Sequence, residues 1–128
     1  MDGSALSPRE YHAERERERL REREELRQEW LAKTREAVRR VAPAHPAVRA
    51  VYLFGSLVQP GRFQRGSDLD LAVDCDDLRA ESGFWQALEE ALERDVDLRP
   101  REGAIARAVE DEGELVYERA VPAARTQD

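Results

Sequence analysis

The first third of the chain has the polar and apolar spacing of one long helix. Ser7, Pro8 and Glu10 suit the N-cap, the first helical position and the capping-box position of such a helix. The second half carries an apolar stripe at intervals of three and four residues, formed by Leu26, Trp30, Leu31, Ala37, Val38 and Val41. Two prolines in the segment 42–47 end the helix. The pattern predicts a helix over residues 8–41 that packs through its second half only.

Beyond residue 47 the apolar positions form short strand-like segments separated by helical ones. Four strands are predicted, at 48–54, 68–73, 95–99 and 114–118. Ser82 is the predicted cap of a helix between the second and third strands, and a further helix around Ile105 ends near Gly113. Interleaved strands and helices indicate an α/β or α+β fold, with a small mixed sheet of about four strands flanked by helices.

Length and composition point to one domain with a charged extension. A chain of 128 residues is long enough for one modest core. We predict a helical extension over residues 1–29, a globular domain over 30–118 and a flexible tail over 119–128. From Glu14 to Glu24 glutamate and arginine alternate almost without interruption, so the extension lacks a broad apolar face. Three roles stay open for this helix: a solvated arm, a surface for self-association into a homo-oligomer, or a surface for docking a partner.

Charge and cysteine content disfavour several functional classes. The formal net charge is −7, so the chain lacks the basic field that attracts nucleic acid. No apolar run is long enough to span a membrane, and no signal-peptide pattern is present. The single cysteine, Cys75, cannot form an internal disulfide. We therefore expect a cytoplasmic protein that binds neither membranes nor nucleic acid.

Two aspartates stand two residues apart in the second predicted strand. Side chains at i and i+2 of a strand point to the same face, so Asp68 and Asp70 should lie about 7 Å apart. At that distance their repulsion is roughly 2 to 3 kcal/mol unless a cation lies between them. Mg²⁺ suits such a site because it prefers oxygen ligands and commonly binds carboxylates together with phosphates. A third carboxylate on a neighbouring strand, Asp95 or Asp97, would complete a site for two metal ions.

A Gly-Ser pair directly follows the first predicted strand. A helical turn that starts at Ser56 would expose free backbone amides, and Gly55 would let a ligand approach them closely. Arg62 and Arg65 follow in the next loop and could add positive charge. Phosphate donors and metal-binding carboxylates are therefore predicted to converge.

The order of these features resembles a known signature. An apolar strand, Gly-Ser, a loop and "SDLDLAV" are similar to the motif of the DNA polymerase beta-like nucleotidyltransferases, and most similar to their minimal members. The similarity covers about residues 30–118. The segment "VDLR" at 96–99 resembles the family's later strand, which favours Asp97 over Asp95. The loop "GSLVQPG" departs from the family's frequent Gly-Ser-x-Ala-Arg-Gly because it lacks the arginine.

The resemblance implies metal-dependent nucleotidyl transfer. The implied metal ligands and catalytic residues, for two Mg²⁺ ions, are Asp68, Asp70 and Asp97. The resemblance implies that Gly55 and Ser56 bind the nucleoside triphosphate, and the following loop adds Arg62, Arg65 and Ser67 as candidate binding residues. Minimal members commonly act as antitoxins that transfer AMP from ATP to a HEPN-type toxin. Two alternatives stay open: a catalytically weak module that neutralises a partner by contact, and nucleotidyl transfer to a small molecule.

Overall fold

The computed structural model of the protein describes residues 5–120, which form three α-helices and four β-strands. The helices are α1 (Pro8–Val41), α2 (Leu78–Leu92) and α3 (Gly103–Glu112). The strands are β1 (Val48–Phe54), β2 (Leu69–Cys75), β3 (Val96–Pro100) and β4 (Glu114–Glu118). Short 3-10 turns at Ala42–Ala44 and Gly55–Val58 follow α1 and β1. The predicted α+β class, a small mixed sheet with flanking helices and a long N-terminal helix, is confirmed.

The four strands form one mixed sheet in the order β3-β2-β1-β4. The inner strand β1 is antiparallel to both β2 and β4. Strands β2 and β3 are parallel, and α2 connects them. Parallel neighbours require such a crossover because the chain must return to the same end of the sheet. The topology therefore brings the starts of β2 and β3 to one end of the sheet, beside the end of β1.

Helices cover both faces of the sheet. On one face α1 and α2 enclose the main core, whose buried residues include Leu31, Val38, Phe84, Leu88, Leu69, Leu71 and Val73. On the other face α3 packs a smaller cluster in which Val109 contacts Phe54 and Ala72. Side chains alternate along β2, so Asp70 lies on the same face of the sheet as Ala72.

Helix α1 begins with the predicted capping box and runs unbroken for 34 residues. The Ser7 hydroxyl accepts a hydrogen bond from the Glu10 amide at 3.1 Å, and the Glu10 carboxylate accepts one from the Ser7 amide at 2.9 Å. The helical residues before position 23 are all exposed, and burial begins at Arg27. The prediction that only the second half packs is confirmed. Within residues 5–120, no helix combines the length and the apolar character that a membrane span needs.

Helix α2 begins earlier than predicted. The predicted cap Ser82 is wrong, because the helix starts at Leu78. Asp77 caps it, and its carboxylate accepts a hydrogen bond from the Ala80 amide at 2.8 Å. Serine and aspartate are both good N-caps, so the choice depends on where β2 ends rather than on the cap residue.

Strand β2 also begins one residue later than the alternation predicts. It starts at Leu69, so Asp68 lies just before the strand. Of the predicted tail, residues 121–128 lie outside the described part of the chain. The amide of Arg119, the first residue of that tail, donates a hydrogen bond to the Arg49 carbonyl at 2.8 Å.

Candidate metal and nucleotide site

Three aspartates converge at the end of the sheet where β2 and β3 begin. Asp70 and Asp97 are direct partners in the parallel ladder, and Asp68 lies one residue before β2. One carboxylate oxygen of each aspartate lies within 4.8 Å of those of the other two. Asp68 is exposed, whereas Asp70 and Asp97 are half-buried. Asp95, the alternative third carboxylate, is exposed and lies outside this cluster.

The turn after β1 places its main chain close to the carboxylate of Asp70. Strand β1 ends at Phe54, the ladder partner of Asp70. Gly55 follows with a φ of +75°, which L-residues other than glycine rarely adopt. A Cβ atom at this position would overlap a carboxylate oxygen of Asp70 and lie 3.1 Å from its Cγ. Backbone conformation and space therefore both require glycine here.

Burial and neighbouring negative charges perturb the ionisation of Asp70. The pKa of Asp70 is raised from an ordinary value of 3.8 to about 6, chiefly because the carboxyl is partly buried. The negative charges of Asp97 and Asp68 raise this pKa further. Arg99 opposes the shift, and its Nε donates to Asp97 Oδ1 at 2.9 Å. Three carboxylates with one guanidinium leave a net negative charge that favours a bound cation.

The donor set fits a magnesium site. Its three carboxylates supply the hard oxygen ligands that Mg²⁺ prefers, and they come from two adjacent strands and the residue before one of them. A divalent cation would offset the repulsion that raises the pKa of Asp70. The exposed Asp68 leaves one side of the cluster open to solvent, where a phosphate could approach.

The sequence profile described as "Polymerase beta, Nucleotidyltransferase" matches residues 36–121, which is more than half of the chain. The chain belongs to this nucleotidyltransferase family. The resemblance predicted from the Gly-Ser and "SDLDLAV" motifs is confirmed, and the protein is an enzyme of the nucleotidyl-transfer class.

Solved structures similar to this nucleotidyltransferase come from toxin–antitoxin complexes. A chain of a toxin–antitoxin complex with AMP-PNP is 30% identical, with a TM-score of 0.55 over 66% of this chain and 73% of that one. A chain of a double aspartate-to-glutamate mutant of the toxin–antitoxin pair MntA-HpeT is 27% identical, with a TM-score of 0.54 and coverage of 66% and 73%. No curated protein sequence is significantly similar. The two structures confirm the predicted likeness to the nucleotidyltransferases of toxin–antitoxin pairs.

Of the nucleotide-binding residues predicted for this nucleotidyltransferase, two lie beside the three aspartates and a third closes the loop that precedes them. Gly55 and Ser56 form the turn beside the carboxylates. The Ser67 hydroxyl accepts a hydrogen bond from the Gln64 amide at 2.8 Å, so it closes the loop that leads to Asp68. The structure thus brings Gly55 and Ser56 to the site directly and gives Ser67 a role in shaping the loop.

The two predicted loop arginines form no ion pair with the carboxylates of the site within residues 5–120. Both Arg62 and Arg65 are exposed. Arg65 instead lines a groove with Arg19 and Arg23 of α1. A role of these arginines in triphosphate binding stays a prediction.

Three arginines that the sequence patterns do not single out contact the site, namely Arg27, Arg94 and Arg99. Arg27 of α1 is buried and donates to the Leu57 carbonyl in the Gly55–Val58 turn at 3.1 Å. It also donates to both oxygens of Glu24, at 3.0 and 2.6 Å, which lowers the pKa of that carboxyl to about 2. Arg27 lies four residues before Leu31 on the apolar stripe, a signal that could have revealed its burial.

Proposed function

We propose that the protein is a Mg²⁺-dependent nucleotidyltransferase that transfers AMP from ATP to a hydroxyl group of a partner protein, a HEPN-type toxin. The observation that carries the proposal is the convergence of Asp68, Asp70 and Asp97 beside the Gly55 turn. Membership of the family supports nucleotidyl transfer. The AMP-PNP in the structure of a similar toxin–antitoxin complex supports an adenine nucleotide as donor.

The three aspartates would hold the metal. Asp68 and Asp70 would contact two Mg²⁺ ions, and Asp97 would add a ligand on the side of the acceptor. Bound there, the ions would lower the pKa of the acceptor hydroxyl and neutralise charge on the leaving pyrophosphate. The carboxylates must be ionised for this, which the pKa of Asp70 near 6 allows at neutral pH. Arg99 would orient the Asp97 carboxylate through their hydrogen bond.

The turn after β1 would hold the triphosphate. Gly55 leaves the backbone uncovered, and Ser56 offers an amide and a hydroxyl as donors. Ser67, Arg62 and Arg65 would contribute further donors from the following loop. In the transfer, the acceptor hydroxyl would give its proton to Asp97, a bond would form between the acceptor oxygen and the α-phosphorus, and the bond to the β-phosphate oxygen would break to release pyrophosphate. The chain's contribution is to position these groups in line.

Neutralisation of the partner by contact alone is a second candidate. The exposed first half of α1 favours it, because this segment lies free of the domain core and adds Tyr11 and Leu20 to the surface. Such apolar groups are available for packing on another protein. This mechanism would need no metal and no nucleotide.

Incubation with Mg²⁺, a HEPN-type toxin and ATP labelled at its α-phosphate tests the proposal. The wild type should label the toxin, and Asp70→Asn should label it at least about 100-fold more slowly because a charge-stabilising ligand is lost. Asp95→Asn is the matched control, since Asp95 is exposed and outside the cluster, and it should act as the wild type.

Toxin activity measured in the same samples separates the two candidates. Under the transfer mechanism, Asp70→Asn fails to neutralise the toxin. Neutralisation that persists in Asp70→Asn without label would favour contact alone. Absence of label with the wild type would contradict nucleotidyl transfer to this class of partner.

A further inference from the structure

Arg94 lies in the short connection between α2 and β3, yet its side chain contacts a different part of the chain. Its guanidinium donates hydrogen bonds to the main-chain carbonyls of Ser67 and Arg65, the latter at 3.3 Å. The same group stacks on two aromatic rings, with its central carbon 4.5 Å from the Trp30 ring centre and 5.6 Å from that of Phe63. One side chain therefore joins α1, the loop before β2 and the start of β3.

The carbonyl that Arg94 holds belongs to the peptide bond between Ser67 and Asp68. A peptide unit is planar, so a hydrogen bond to its oxygen restricts the orientation of the residue that follows. The loop is also closed locally, because the Ser67 amide donates to the Gln64 carbonyl at 2.9 Å and the Ser67 hydroxyl accepts from the Gln64 amide. These local bonds fix the shape of the turn, and Arg94 fixes its place on the domain.

Arg94 is close in sequence to one aspartate of the site, and the carbonyl that it binds is next to another. Arg94 stands three residues before Asp97, and its target carbonyl stands directly before Asp68. The entry to β3 is held independently, since the Val96 carbonyl accepts from the Trp85 indole at 2.7 Å and the Val96 amide donates to Glu89 at 2.9 Å. Arg94 therefore ties the loop that leads to Asp68 to the strand that carries Asp97.

The chemistry of the contact favours a positioning role over simple charge neutralisation. Within residues 5–120 the half-buried Arg94 has no carboxylate partner, and its contacts are carbonyls and ring faces. A guanidinium suits this because it is planar, donates in several directions and stacks on aromatic rings. A lysine would keep the charge but could not span both carbonyls while stacking.

We propose that Arg94 is a positioning residue of the metal site, which sets the distance between the carboxylates of Asp68 and Asp97 and thereby the affinity for a divalent cation. This inference rests on the proposed function, because it assumes that the three aspartates bind metal. It adds a residue that touches neither the metal nor the nucleotide.

Mn²⁺ binding to the metal-free protein, followed by the paramagnetic resonance signal of free Mn²⁺, tests the proposal. Arg94→Met should weaken Mn²⁺ binding by about 10-fold, the lower end of the effects seen for residues that orient metal ligands. Arg94→Lys should give an intermediate affinity. The matched control is Arg35→Met, which removes a paired arginine between α1 and β4, away from the site, and should leave Mn²⁺ affinity unchanged.

Melting temperatures of the variants separate positioning from general destabilisation. Loss of affinity in Arg94→Met, at a melting temperature no lower than that of Arg35→Met, supports the proposal. If Arg94→Met unfolds, the folded Arg94→Lys decides the question, because unchanged affinity in that variant overturns it. Wild-type affinity in Arg94→Met overturns it while the proposed function survives. A wild-type protein that binds no Mn²⁺ overturns both.

Discussion

Asp70 combines partial burial with acidic neighbours at the centre of the site. Its carboxylate lies against Gly55, and its ladder partner is Asp97. Because its pKa is raised, the ionised carboxyl is less favourable in the folded protein than in the unfolded chain. The site therefore lowers stability, as sites built for binding a cation commonly do.

Asp70→Asn should stabilise the metal-free protein at pH 7.5. Between pH 3.8 and about 6 the folded state binds more protons than the unfolded state, so the unfolding free energy falls as pH rises through this window. Above about pH 6 the Asp70 carboxyl is ionised and its full destabilising effect is present. Removal of that charge should raise the unfolding free energy by roughly 1 to 2 kcal/mol after solvent screening. Urea unfolding in EDTA measures this effect. At about pH 3 the gain should vanish, and a loss of stability at pH 7.5 would argue against the assigned electrostatics.

Gly55→Ala and Gly61→Ala form a matched pair that isolates the contact with Asp70. Both glycines have positive φ, +75° and +81°, so both variants should lose about 1 to 2 kcal/mol from backbone strain. Only Gly55 faces the Asp70 carboxylate, whereas a Cβ at Gly61 meets nothing within 4 Å. Gly55→Ala should cost at least about 1 kcal/mol more, because the added methyl overlaps that group. Equal losses in urea unfolding would contradict the close packing of turn and carboxylate.

Among the elements, α1 combines two unlike halves. Its second half supplies Leu31 and Val38 to the core, and Arg27 binds the turn after β1. Its first half is exposed and is held as a helix by the capping box and by ion pairs such as Glu14–Arg17 and Glu16–Arg19. Exposed pairs of this kind add only a few tenths of a kcal/mol each. The first half therefore contributes little to the stability of the domain.

Removal of residues 1–22 should leave the domain folded and its oligomeric state unchanged. The unfolding free energy should change by less than about 0.5 kcal/mol, because the helical residues removed are exposed. Light scattering coupled to gel filtration measures the molar mass of both forms. A multimeric full-length protein that becomes a single chain after truncation would assign self-association to this helix.

Elements stabilised by local contacts were predictable from the sequence, and those fixed by distant contacts were not. The capping box of α1 and the alternation in β2 depend on neighbours in the chain, and both are present. The start of α2 depends on where β2 ends, which no local signal gives. Alternation alone places Asp95 and Asp97 on one face; the resemblance of "VDLR" to the family's later strand favoured Asp97, and the ladder with β2 pairs Asp97 with Asp70. Arg94 gives no local signal, since its partners lie 27 and 29 residues away.

At the scale of the whole molecule, the mixed sheet topology assembles the site. Antiparallel pairing places the end of β1 beside the start of β2, and parallel pairing places the start of β3 beside the same point. The chain carries a net charge of −7, and the site itself is negative. A nucleoside triphosphate is also an anion, so the protein should repel it unless divalent cations bind first.

Calorimetric titration with AMP-PNP, in Mg²⁺ and separately in EDTA, therefore tests most directly whether the three aspartates form a metal-dependent nucleotide site. The wild type should bind the nucleotide in Mg²⁺ and lose that binding in EDTA. Asp97→Asn should bind it at least about 10-fold more weakly in Mg²⁺, and Asp95→Asn should match the wild type. Equal binding with and without Mg²⁺, or no binding in either condition, would contradict the account.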